Sequence, residues 1–87
     1  MKVTTRVKKT IPLYVPNIGD SNKIKIIKWY IQEGDTFKEN DELCDMVSDK
    51  ATFSLEAPSS GKLLHILKKN NSVVSIKEQV AIAEIYE

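Results

Sequence analysis

The chain has 87 residues and a formal net charge of +1. That length allows one domain with little room for a deep catalytic cavity, and that charge supplies no field to hold nucleic acid or an anionic membrane. The single cysteine, Cys44, cannot close an internal disulfide or complete a Cys/His metal set, and no apolar run approaches the roughly 20 residues of a membrane span.

In chain order, the first segment is basic. Lys2, Arg6, Lys8 and Lys9 all precede the first acid, Asp20. Residues 1–12 are therefore expected to be a basic N-terminal extension, with the domain proper at 13–87. Ile24 to Ile31 is rich in β-branched and aromatic residues and predicts a strand. Glu33-Gly34-Asp35 predicts a turn, with Gly34 free to adopt positive φ, and Asn40-Asp41 predicts another. Leu43 to Val47 is strand-like, and Ser48-Asp49-Lys50-Ala51 interrupts it. Thr52 to Leu55 resumes with alternation, Phe53 and Leu55 on one face, Ser54 and Glu56 on the other. A loop at Pro58 to Gly61, a strand at Leu63 to Leu67, a turn at Asn70-Asn71 and a strand at Val80 to Ile85 complete the series. The short apolar runs do not sustain helical spacing, so the expected class is all-β, a sandwich or barrel.

The sequence also echoes itself. Moved forward by 37 positions, residues 25–50 fall on 62–87, so that Ile26-Ile27 meets Leu63-Leu64, the Gly34 turn meets Asn71, and Asp41-Glu42-Leu43 meets Glu78-Gln79-Val80. Asn tolerates the left-handed region better than other non-glycine residues, so Asn71 can do the backbone work of Gly34. Two similar halves related by a pseudo-twofold follow, with the tip at Asp49-Lys50 and the C-terminus at opposite ends.

Enzyme constellations are missing. His65 is the only histidine, so no histidine-based metal cluster exists, and no Gly-rich phosphate loop is present. Cys44 adjoins no cation in sequence that would lower its pKa and is expected to be a buried, inert thiol; Trp29 is expected in the core. Lys50 differs by position. It sits at the apparent tip of a hairpin, although exposure alone does not distinguish it from the other lysines.

The stretches Val15-Pro16-Asn17-Ile18-Gly19-Asp20, Glu33-Gly34-Asp35, Ser48-Asp49-Lys50-Ala51-Thr52 and Ala57-Pro58-Ser59-Ser60-Gly61-Lys62 together resemble the lipoyl domain of 2-oxo acid dehydrogenase acyltransferases, in the biotinyl/lipoyl attachment family. The resemblance runs from about residue 14 to residue 86. It implies a flattened β-barrel or sandwich of two four-stranded antiparallel sheets with quasi-twofold symmetry. It implies that Lys50 carries lipoate in amide linkage, with Asp49 and Ala51 as turn and ligase-recognition residues. The arm would swing acyl groups and reducing equivalents between a thiamine-diphosphate-dependent 2-oxo acid dehydrogenase, an acyltransferase core and the flavoprotein dihydrolipoamide dehydrogenase. The domain itself is expected to be no enzyme, but a substrate of a lipoylating enzyme and a carrier without nucleic-acid or membrane partners.

Candidate partner surface is Asp20 within the loop Ile18 to Lys23, together with Asp45, Val47 and Glu56. Two positions depart from the family pattern. The second-half turn is Asn71-Ser72 instead of Gly-Asp, and Val47 stands where an acid is common. Rival readings are a biotin carrier, whose lysine usually lies between methionines, a longer glycine-cleavage carrier, and an unmodified β-barrel interaction module. Lacking a secretory apolar region at the N-terminus, the chain is expected in a bacterial cytoplasm or an organelle matrix.

Overall fold

The computed structural model describes residues 8–17 and 23–86. It contains eight strands: β1 (Lys8–Tyr14), β2 (Ile24–Trp29), β3 (Thr36–Phe37), β4 (Glu42–Ser48), β5 (Thr52–Glu56), β6 (Gly61–Ile66), β7 (Val73–Val74) and β8 (Gln79–Tyr86). They form two four-stranded sheets, ordered β1-β8-β6-β3 and β5-β4-β2-β7, with every pairing antiparallel. The sheets do not close into one barrel, so the architecture is a sandwich.

The pseudo-twofold is written into the register. The offset of 37 carries β2 onto β6, β3 onto β7 and β4 onto the first seven residues of β8. Even the irregularities repeat. The β2–β4 ladder shifts between Ile26 and Lys28, and the β6–β8 ladder shifts between Leu63 and His65, the equivalent positions. Gly34 (φ 94°) and Asn71 (φ 73°) are both left-handed, as are Asn40 (φ 72°) and Lys77 (φ 67°). Asp41 Oδ2 accepts from Lys38 N at 2.9 Å, and Glu78 Oε1 accepts from Ser75 N at 2.9 Å, so each half closes its second turn with a carboxylate.

Each sheet draws two strands from either half of the chain. The core between the sheets contains Ile24, Ile26, Leu43, Met46, Leu63, Val74, Val80 and Ala83, all at 2% exposure or less. Trp29 and Cys44 belong to it as well. The Trp29 indole satisfies its N–H by donating to Lys68 O at 2.8 Å, which is what a buried tryptophan requires. Burial pushes the Cys44 thiol up to about 12, so it stays protonated and unreactive.

Four strands differ from the sequence expectation. β1 begins at Lys8, so Lys8 to Pro12, assigned by sequence to the basic extension, pair with Tyr86 to Ile82 of β8. β3 and β7 are two residues each, too short to carry an alternation of their own. The strand expected to reach Ile31 stops at Trp29. Beyond it, Gln32 and Asp35 bond each other to form the turn, through Asp35 N to Gln32 O at 3.0 Å and Gln32 N to Asp35 Oδ2 at 2.9 Å.

Candidate functional site

β4 is an interior strand, flanked by β2 and β5. Its hairpin to β5 ends in a pair, Val47 with Thr52, followed by the four residues Ser48 to Ala51. Ser48 N donates to Ala51 O at 2.8 Å and closes the turn, leaving Asp49 and Lys50 at the apex. Both are exposed. On the other side β2 supports the hairpin to its end, with Ile24 paired to Ser48. A lysine at this apex is held by a three-strand base and offers its Nζ to solvent.

The turn is braced by the side chain of Ser48, which the sequence reading placed in the strand break without singling it out. The Ser48 hydroxyl accepts from Lys50 N at 3.2 Å and from Ala51 N at 3.1 Å, and donates to Ala51 O at 3.3 Å. Serine is a common turn former for this reason, and that was the available signal. The contribution of Ala51 comes from its backbone N–H and C=O.

The tip lies far from the C-terminal end of β8. Tyr86 N donates to Ser60 O, and Glu39 N donates to Ser60 Oγ. Ala57 N donates to Asp41 O, just before β4 begins. Tyr86 therefore sits by the start of β4, and Lys50 lies past its end.

The candidate partner residues divide. Val47 is half-buried and sits in one row across the sheet, between Thr52 on β5 and Lys25 on β2, with Val73 on β7 beyond. That row adjoins the tip. Asp45 is two residues further down the same face, and its carboxylate is engaged. Oδ2 accepts a hydrogen bond from Tyr30 Oη, and Oδ1 accepts from Ser54 Oγ at 2.7 Å. The Tyr30 and Ser54 hydroxyls hold the Asp45 carboxyl below its ordinary range, with Lys28 adding to the effect, and the same bond raises the Tyr30 phenol. Glu56 is exposed but pairs with Glu42 at the end of the hairpin distant from Lys50. Asp20, with residues 18–22 of its loop, lies outside the described residues; Lys23 is exposed beside the start of β2. The row of this face nearest the tip carries Lys25, Val47, Thr52 and Val73, with Asp45 two residues behind Val47.

His65 is exposed, with Nδ1 4.0 Å from Glu33 Oε2. An open groove lies between the two equivalent turns, lined by Trp29, Glu33, Ile66 and Asn70 among others. Two of its polar side chains bond the backbone of the facing turn. Glu33 Oε2 accepts from Ile66 N at 2.9 Å, and Asn70 Oδ1 accepts from Trp29 N at 2.9 Å.

Fold and tip together define a presenting module, a rigid sandwich whose exposed lysine stands at the apex of a short hairpin. Residues 11–83 match the biotin/lipoyl family described as biotin-requiring enzyme. The chain belongs to this attachment-domain family, whose domain is a carrier and not a catalyst.

Among similar curated proteins is the dihydrolipoyllysine-residue succinyltransferase component of the 2-oxoglutarate dehydrogenase complex from Rickettsia bellii. It is 30% identical over 71 residues, which cover 80% of this chain and 18% of that protein. The dihydrolipoyllysine-residue acetyltransferase component of the pyruvate dehydrogenase complex from Staphylococcus epidermidis is 30% identical, over 76% of this chain and 16% of that protein. The lipoamide acyltransferase component of the branched-chain alpha-keto acid dehydrogenase complex from Pseudomonas putida is 26% identical, over 82% of this chain and 17% of that protein. The chain thus spans less than a fifth of the length of these relatives. Among solved structures, a single-chain, multi-domain long-chain acyl-CoA carboxylase superposes with a TM-score of 0.73 at 14% identity, over 87% of this chain and 7% of that one. At that identity the likeness is one of fold.

Proposed function

We propose that this chain is a lipoyl carrier domain of a 2-oxo acid dehydrogenase complex, with lipoate in amide linkage to Lys50. The observation that carries the reading is the presentation of Lys50 at the apex of an exposed hairpin in a biotin/lipoyl fold, flanked by Asp49 and Ala51. Two features favour lipoate over biotin. The lysine lies between Asp49 and Ala51 and not between methionines, and the relatives quoted above are named for lipoyl-lysine or lipoamide chemistry.

The residues fit such a group. Attachment needs a primary amine that a ligase can reach, and converts its charge to a neutral amide. The bound dithiolane would accept an acyl group and two electrons, and the chain's part is to present it. The paired β4–β5 hairpin keeps the attachment point off the body of the domain, and tethering raises the effective concentration of the arm at each partner. Those partners are the lipoylating enzyme, a thiamine-diphosphate-dependent 2-oxo acid dehydrogenase, an acyltransferase core and dihydrolipoamide dehydrogenase. The row Lys25, Val47, Thr52 and Val73 beside the tip is the surface proposed to meet the dehydrogenase.

The test is intact mass after expression with a lipoate ligase and lipoate, and separately with a biotin ligase and biotin. One lipoyl increment on the wild-type chain, none on Lys50→Arg and no biotin increment are expected. Lipoylation that persists in Lys50→Arg overturns the site. A biotin increment, or none from either ligase, overturns the function.

A further inference from the structure

We propose that Ser48 is a positioning residue for the modification of Lys50; this rests on the carrier reading above. Its hydroxyl has one proton and two lone pairs. All three are used within the tip, two accepted N–H bonds from Lys50 and Ala51 and one bond donated to Ala51 O. The backbone N–H of the lysine to be modified is therefore bound by the side chain two residues before it.

The place of Ser48 in the sheet is a second, independent observation. It follows Cys44 and Met46 on the core-facing side of β4, and both of those are fully buried. Its partner across the ladder, Ile24, is also fully buried. The pseudo-twofold equivalent of Ser48 is Ile85, paired with Gly61. An apolar side chain is what this core-edge position asks for, and what the other half supplies. Ser48 and Ile85 are both half-buried, but Ser48 puts a hydroxyl there, and that hydroxyl turns to the apex. The half without a lysine-bearing hairpin keeps the isoleucine.

Amide formation joins Lys50 Nζ to a lipoyl carboxyl that ATP has activated as an acyl adenylate with release of pyrophosphate. The C–N bond forms, the acyl–phosphate bond breaks, AMP leaves with the bonding pair, and the lysine ammonium gives up two of its three protons to solvent, keeping one as the amide N–H. Ser48 touches none of these atoms. Its part is to restrict the tip backbone to one conformation, so that Nζ enters the ligase from one direction.

Ser48→Ala, Ser48→Thr and Ser48→Val are to be compared with wild type, using a lipoate ligase with lipoate and ATP. Ser48→Ala and Ser48→Val are expected to lose roughly tenfold in kcat for the domain as substrate, with KM little changed, the penalty of a misplaced reacting group. Ser48→Thr keeps the hydroxyl and should recover to within about twofold. Amide hydrogen exchange at Lys50 and Ala51 should quicken in the first two variants and not in the third. Melting temperature should be unchanged in Ser48→Ala and unchanged or higher in Ser48→Val. Wild-type kcat in Ser48→Ala, no recovery in Ser48→Thr, or losses that follow melting temperature would each overturn the inference. A wild-type domain that the ligase does not modify overturns the carrier reading instead.

Discussion

Asp45 shows what a single residue does on an exposed sheet. Its two hydroxyl bonds, from Tyr30 and Ser54, stabilise the ionised carboxylate and depress its pKa. A carboxyl with a lowered native pKa contributes stability that is complete above its unfolded value, about 3.9. That contribution declines as pH falls below this value and is gone below the native one. Asp45→Asn should therefore flatten the acid limb of a stability-against-pH curve while costing little where wild-type Asp45 is already protonated. Urea titrations at stepped pH check this.

Gly61 and Gly34 make a second residue-scale contrast. A Cβ on Gly61 would collide with the backbone oxygen of Glu84 across the ladder, whereas one on Gly34 meets nothing but must tolerate φ 94°. Gly34→Ala should cost about 1–2 kcal/mol of backbone strain. Gly61→Ala should cost more, because backbone of β8 must move, and the order of the urea midpoints tests the ranking.

At the scale of elements, the two halves make their turns with different residues. Asn40 is a favoured left-handed residue, but its equivalent Lys77 (φ 67°) is not. Lys77→Gly should stabilise the domain by about 0.5–1 kcal/mol, the left-handed penalty less the entropy glycine loses on folding. The β4–β5 hairpin joins an interior strand to an edge strand, which supports its apex on one side by β2 alone. Lys25 on β2 and Val47 on β4 face outward in register beside that apex. If this row docks against the dehydrogenase, Lys25→Glu should raise KM for the lipoylated domain in reductive acylation by about tenfold, with ligase turnover unchanged, as reversal of a contacting charge does. An unaltered KM removes this row from the docking surface.

For the whole molecule, each sheet is assembled from both ends of the chain. β1 pairs along its full length with β8, and β2 and β3 find partners in β7 and β6. Neither half can complete a sheet alone, so unfolding should be a single transition. A chain starting at Leu13 loses the ladder from Lys8 to Pro12 and the packing of Ile11 against the core. Relative to one starting at Lys8, it should lose about 2 kcal/mol or more, from several backbone bonds and a partly buried isoleucine. Denaturant melts of the two chains measure this and locate the edge of the domain.

By itself the sequence determined the all-β class, the positions of the longer strands, the 37-residue repeat and the hairpin that exposes Lys50. These rest on local signals, period-two alternation and residues that favour turns, which any window of the chain displays. Only the tertiary structure decided that Lys8 to Pro12 belong to the sheet, because their pattern is basic and their partner is at the other end of the chain. The strands β3 and β7 exist by virtue of β6 and β2, since two residues have no periodicity to detect. The sequence offered Asp45 as partner surface, but not the hydrogen bond it accepts from a tyrosine 15 residues away. Ser48 looked like a strand breaker; its hydroxyl acquired a role only when the ladder placed it at the core edge, with the amides of Lys50 and Ala51 in reach.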